Sequence, residues 1–222
     1  MRKILFALPV ILAVPFIVQA ASHKGKAKHG GPMMHTVPAP LDTSKIAGGI
    51  YTVDGGHTLV GWRLSHFGFN DYFGIFGSST GSLVLDPKNP SASKVEITIP
   101  IAKVTTASAG LTDHLMRGGK EGGKPDFFGP APSDAKFVST SVMARGQMAT
   151  INGTLTMNGV TKPVMLHAHL SGSGSNPFNK KETVGFHATT SIKRSEWGLG
   201  YGVPNIGDKV DLDITVAFEK AG

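Results

Sequence analysis

Residues 51–85 read YTVDGGHTLVGWRLSHFGFNDYFGIFGSSTGSLVL. Two apolar-rich runs stand out, Leu59–Phe67 and Phe73–Leu85, joined by a turn of glycine, asparagine and aspartate. Trp62, Phe67, Phe69, Phe73 and Phe76 alternate with small residues, and His57 and His66 bracket the first run. Large rings beside glycines suit a β wall that bends around an interior. The stretch carries no catalytic motif, so that interior is either a core or a place for a ligand.

Downstream, the same period of two persists, the mark of strands with one apolar face. In Lys94–Ile101 the residues Val95, Ile97, Ile99 and Ile101 share a face. Ala135–Met143 and Met148–Met157 follow, and Asn158-Gly159 turns the latter into Pro163–Leu170, since Asn-Gly accepts positive φ. Thr183–Ile192 and Lys209–Phe218 end the series; in the last, Val210, Leu212, Ile214, Val216 and Phe218 oppose Asp211, Asp213, Thr215 and Ala217. Eight strands are thus expected. Antiparallel strands of that number close into a barrel, which removes exposed edges and either fills its interior with side chains or holds one small ligand. The predicted class is all-β: an eight-stranded antiparallel barrel with one short helix. The helical candidate is Ala107–Arg117, with Leu111 and Leu115 four apart, followed by the glycine-rich Gly118–Pro125 and then Asp126-Phe127-Phe128. Helix and insert are expected across a barrel end as a lid or plug.

Three segments divide the chain of 222 residues. Arg2 and Lys3 precede an apolar run from Ile4 to Val18, broken by Pro9 and Pro15 and ending in Val18-Gln19-Ala20. That run is too short to span a bilayer and has the form of a cleavable export signal over residues 1–20. Residues 21–48 read as a flexible tail rich in His, Lys, Gly and Pro, and residues 49–220 as the β domain. No cysteine is present, so neither disulfides nor thiolate metal sites are available. His23, His29 and His35 could loosely hold a metal, but their spacing fits no fixed ligand geometry, and the primary reading of the tail is a solvated tether without metal or other cofactor. The formal charge of +7 suits contact with an anionic membrane surface or simply solubility. A secreted chain without a concentrated basic stripe is a poor nucleic-acid binder.

Enzyme motifs are few. Gly77-Ser78-Ser79-Thr80-Gly81 matches G-x-S-x-G, yet that motif needs a strand-to-helix turn, and strand-like sequence continues here. His167 and His169 lie two apart on one strand face, as metal ligands or as outward polar positions. No phosphate loop, H-E-x-x-H or paired carboxylates occur. A non-enzymatic protein is expected.

Several short motifs occur in order: Tyr51-x-x-Asp54-x-x-His57; His66 before a strand ending in Phe76-Gly77; Asp113-His114-Leu115; and Asp126-Phe127-Phe128. Gly153-x-Leu155-x-Met157-x-Gly159-Val160-Thr161-x-Pro163-Val164, Arg194-Ser195-x-Trp197-Gly198 and Gly207-Asp208-x-Val210 complete them. Together they resemble the YceI-like, polyisoprenoid-binding family over residues 49–220. The resemblance implies an extended lipocalin-like barrel, exported to the periplasm, that holds an isoprenoid or other long-chain amphiphile. The Gly118–Pro125 insert, the altered residues around Pro132–Ala135, and Trp197 in place of a common Phe depart from the family's pattern. Ten buried carbons at ~0.8 kcal/mol per methylene supply roughly 8 kcal/mol gross, enough for tight binding after ordering costs. Trp62, Phe67, Phe73, Phe76, Leu115, Phe127, Phe128 and Trp197 are candidates to line or gate the interior; ordinary core is the competing reading for each. Asp54, His57, His66, Asp113, His114 and Arg194 could hold a polar headgroup near the helix, or form a structural network in which Asp54 pairs with His57 and Arg194 ties a loop to the barrel. A metal-handling or stress-response role for the tail and an unrecognised hydrolase are the rival functions. Exposed strand edges would also permit a homodimer.

Overall fold

The computed structural model describes residues 43–222. The expected signal and His23, His29 and His35 lie outside the described residues.

Eleven strands form one antiparallel sheet: β1 (Gly49–Val53), β2 (Leu59–His66), β3 (Asn70–Phe76), β4 (Thr80–Leu85), β5 (Lys94–Ile99), β6 (Val104–Thr106), β7 (Ala135–Arg145), β8 (Met148–Met157), β9 (Val160–Ser175), β10 (Glu182–Lys193) and β11 (Lys209–Lys220). The order β1-β4-β5-β7-β8-β9-β10-β11 closes on itself because β11 also pairs with β1. The first six strands are halves of three bent staves. β11 meets β1 through Phe218–Lys220 and β2 through Asp211–Thr215. In the same way β3 on β2 leads into β4 on β1, and β5 on β4 leads into β6 on β3. Three bent staves and five straight strands make the expected eight-stranded barrel.

The run Phe73–Leu85 is therefore two strands, interrupted at Gly77–Ser79, where Ser78 turns to φ 57. Two short strands were missed: β1, in front of the quoted runs, and the three-residue β6. Asn158 and Gly159, at φ 51 and 76, make the tight β8–β9 turn that the dipeptide predicts.

Alternation sets what faces inward. In β11 the apolar row beginning at Val210 points into the barrel, while Asp211 and Asp213 point out. Trp62 crosses from β2 over Gly74 of β3, its register partner, where a Cβ would fall 2.2 Å from the indole. Only glycine lets that ring lie against the neighbouring strand.

The helix α1 (Ala109–Met116) is shorter than expected and starts at Ser108, whose side chain accepts from Leu111 N at 3.2 Å. It sits at the end of the barrel where β6 ends and β7 begins. There Phe76, Ile101, Leu115, Ala135, Leu155, Met157, Trp197 and Leu199 form a continuous buried core. A smaller cluster of Tyr51, Leu83, Val184 and Phe218 lies toward the opposite end.

Candidate functional site

Between the two clusters the barrel encloses a cavity of about 370 Å³. Its wall is built from the inward rows of the strands: Val60, Trp62 and Leu64 from β2, Ile151 and Leu155 from β8, Leu166 and Ala168 from β9, Ala188 and Ile192 from β10, and Leu212 and Ile214 from β11. That volume lies near the lower end of small-molecule sites and takes roughly a dozen methylene-sized groups at ~30 Å³ each.

The two ends differ. At the helix end the wall continues into Leu115, Phe127, Phe128, Ile101 and Leu199, and Leu115, Ile101 and Leu199 are almost wholly buried, so this end is plugged. At the other end the lining reaches exposed residues: Pro90 and Lys94 around the β4–β5 loop, Ala144, Gly146 and Met148 around the β7–β8 turn, and Thr43 before β1. The cavity opens there, away from the helix. The helix and insert lie at a barrel end as a plug, one of the two expected alternatives, and the headgroup expected near the helix finds no opening there, because Phe127 and Phe128 fold inward and fill that end.

Of the expected apolar residues, Trp62, Phe76, Leu115, Phe127 and Phe128 line the cavity. Phe67 and Phe73 do not; they are 52% and 62% exposed. Phe73 shares its face of β3 with Ile75, which points out, opposite in parity to Gly74 and Phe76; Phe67 sits in the β2–β3 turn at φ 54. Trp197 is buried to 1% but lies within the plug, donating from Nε1 to Leu155 O at 3.2 Å. The Nε1 of Trp62 is buried without a hydrogen-bond partner.

The expected polar residues form separate groups rather than one site, and of those near the helix His114 and Arg194 both meet Phe127 and Tyr201. Asp54 and His57 pair at 2.7 Å in the β1–β2 turn, with the histidine largely exposed. His66, at the end of β2, packs edge-on against Phe67 and Tyr72. Asp113 is exposed, whereas His114 bonds Asp126 at 2.7 Å and meets the rings of Phe127 and Tyr201, tying α1 to the plug.

Arg194 is 4% exposed and touches the cavity wall, but four of its five N–H donors are spent on main-chain carbonyls. Nε donates to Gly207 O at 2.8 Å, one terminal nitrogen to Leu199 O, and the other to Tyr201 O at 2.9 Å and Ile206 O at 3.0 Å. Burial pushes its pKa down, with nearby Asp208 acting in the opposite sense. Asp208, held below the ordinary carboxylate range against the opposing effect of burial, accepts from the Ser195 amide and hydroxyl at 2.8 Å each. This network pins residues 194–208 across the closed end.

A second set lies at the open end, joining Tyr51, the first residue of the Tyr51-x-x-Asp54-x-x-His57 motif, to Glu182, which no motif contains. Tyr51, fully buried, donates to Ala47 O at 2.7 Å and to Glu182 Oε1 at 3.2 Å. Glu182 also accepts from the Ala47 amide at 3.0 Å, the main reason its pKa lies below the usual value. Burial, with Glu182 alongside, pushes the Tyr51 phenol up to about 12. These bonds fasten the segment before β1 beside the opening.

The G-x-S-x-G match at Gly77–Gly81 does not form a nucleophile elbow. Ser79 is fully buried, its hydroxyl has no hydrogen-bond partner, and Gly77–Gly81 joins two strands rather than a strand and a helix. His167 and His169 are exposed on β9, with His169 at the open rim of the cavity and beside His187. Among the described residues no group of three or more His, Asp or Glu could hold a metal ion.

Comparison with known proteins agrees with this architecture. The YceI-like domain matches residues 51–218. Protein YceI of Escherichia coli O157:H7 is 37% identical over 169 residues, 75% of this chain and 84% of its own length. The crystal structure of the Campylobacter jejuni YCEI protein superposes with TM-score 0.59 at 25% identity, covering 82% of this chain and 97% of that one. A polyisoprenoid binding domain from Saccharophagus degradans, implicated in plant cell wall breakdown, shares the fold with TM-score 0.51 at 14% identity, over 77% and 98% of the two chains. With the domain match spanning the whole closed barrel, the chain belongs to the YceI-like family.

Proposed function

We propose that this protein is a non-enzymatic carrier or sequestering protein for an isoprenoid or a similar long-chain amphiphile, exported to the periplasm by the signal at residues 1–20. The observation that carries the reading is the apolar cavity with one blind and one open end. A dozen buried methylene-sized groups at ~0.8 kcal/mol each supply roughly 10 kcal/mol gross, which leaves useful affinity after the cost of ordering the chain. The tail of the amphiphile enters first and runs toward Phe76, Phe127 and Phe128. Its polar group stays at the open rim, because the guanidinium of Arg194 is already committed to protein carbonyls. A ligand longer than the cavity protrudes from the same end. The Saccharophagus domain's description supports the choice of an isoprenoid among such amphiphiles.

Native mass spectrometry with solvent extraction, on protein purified from its own host, tests the reading. A stoichiometric long-chain adduct that extraction removes is expected. Lipid-free protein that also fails to take up a long-chain isoprenoid alcohol from detergent would sink it.

A further inference from the structure

The open end differs from the rest of the surface in charge as well as shape. Lys94 lines the cavity, Lys88 follows the lining residue Pro87, and Arg145 lies between the lining residues Ala144 and Gly146. All three side chains are exposed, and none makes an ion pair among the described residues. At the helix end, by contrast, the charges balance: residues 101–134 and 193–211 hold Lys103, Arg117, Lys120, Lys124, Lys193, Arg194 and Lys209 alongside Asp113, Glu121, Asp126, Asp134, Glu196, Asp208 and Asp211. Around the opening, residues 43–50, 86–94, 142–148, 172–183 and 218–222 hold Lys45, Lys88, Lys94, Arg145, Lys180, Lys181 and Lys220 against only Asp86, Glu182 and Glu219.

Apolar side chains share this rim. Met143 and Met148 are 58% and 56% exposed on either side of the β7–β8 turn. β9 pairs with β8 only as far as His169 and then runs on to Ser175, so the β9–β10 hairpin projects beyond the rim, with Phe178 at its tip 94% exposed. A projecting ring and methionines among unmatched cations form a surface with an apolar part for the acyl boundary and charges for anionic headgroups. Because the cavity opens through this surface, contact with a bilayer would let an amphiphile move between lipid and barrel without its chain crossing water.

We propose that the open end of the barrel docks onto an anionic lipid bilayer, through Lys88, Lys94 and Arg145 with Phe178 as the inserting tip. The inference rests on the carrier reading for its purpose, but not for its measurement. The test is co-sedimentation of the exported protein with vesicles of phosphatidylcholine alone and of phosphatidylcholine mixed with phosphatidylglycerol, with bound lipid read in parallel by mass spectrometry. Binding to the mixed vesicles, weakened by high salt, is expected. Lys88→Glu, Lys94→Glu and Arg145→Glu combined should lower it at least ~10-fold, at roughly 1 kcal/mol per basic residue near such a surface. The matched control Lys103→Glu, Lys120→Glu and Lys124→Glu at the helix end should leave it within about twofold of the unaltered protein on the same scale. Phe178→Ser, in a hairpin tip that supports no core, should weaken binding without changing the melting temperature. Equal binding to both vesicle types, or equal losses from the two triple variants, overturns the docking face while a lipid adduct still stands for the carrier. Lipid-free protein that docks through these residues keeps the docking face and removes the carrier reading.

Discussion

Four N–H groups of Arg194 reach four main-chain carbonyls, all in the segment 199–207 that covers the closed end. A single ammonium cannot span that set, so Arg194→Lys and Arg194→Ala both leave carbonyls unsatisfied in a buried place. Arg194→Ala is expected to cost at least ~3 kcal/mol of unfolding free energy, measured from the urea midpoint. The lipid bound per folded molecule should stay as it was. Unchanged stability with lost lipid would instead make Arg194 a headgroup ligand. The sequence allowed both roles, since an arginine after a strand looks the same whether its partners are carbonyls or a phosphate. Inward and outward aromatics were similarly close to legible. Phe73 and Phe76 differ only in parity, and the discriminating sign was Gly74, the small partner that an inward Trp62 requires on the next strand.

At the scale of elements, long strands with regular alternation were readable and short or tethered segments were not. β8 runs over the residues its pattern predicts, because each inward side chain repeats the same message. β1 has five residues and owes its place to long-range bonds, including that of the Tyr51 hydroxyl to Glu182. Local pattern cannot carry information about a partner 131 residues away. The latch has a pH signature. With its phenol raised from the usual 10 to about 12, Tyr51 contributes stability that is complete below pH 10 and lost as pH rises toward about 12. Glu182 has the opposite sense: its folded pKa is lowered, so its contribution is present above the ordinary glutamate value of 4.5 and lost as pH falls below it. Phenolate absorbance should show one of the three tyrosines titrating last, and Tyr51→Phe should delete that step. The same substitution should speed hydrogen exchange at the Ala47 amide, whose acceptor Glu182 loses a partner. A late step that persists in Tyr51→Phe would assign it to Tyr72 or Tyr201.

For the whole molecule, the count of eight staves was legible because closure is the way such strands avoid free edges, whereas the direction of the barrel was not. Which end is open depends on how Phe127, Phe128 and residues 194–208 fold over one rim, a matter of tertiary packing that no alternation encodes. The consequence is an interior with spare volume behind a single opening, and this can be tested by filling it. Ala188 lies midway along β10, 6% exposed, with its methyl group in the cavity wall. In a packed core a larger side chain costs ~1–3 kcal/mol through strain. Here Ala188→Phe projects into about 370 Å³ of free space, so it gains apolar burial and contacts instead. The lipid-free variant should melt at or above the temperature of the unaltered protein, and extractable lipid should fall at least ~10-fold, since losing two or more buried methylenes removes ~1.6 kcal/mol. A lowered melting temperature with lipid retained would mean that the interior is already filled by side chains and that the ligand sits elsewhere. The two readouts move in opposite directions for a ligand cavity and together for an ordinary core, so the variant decides between them.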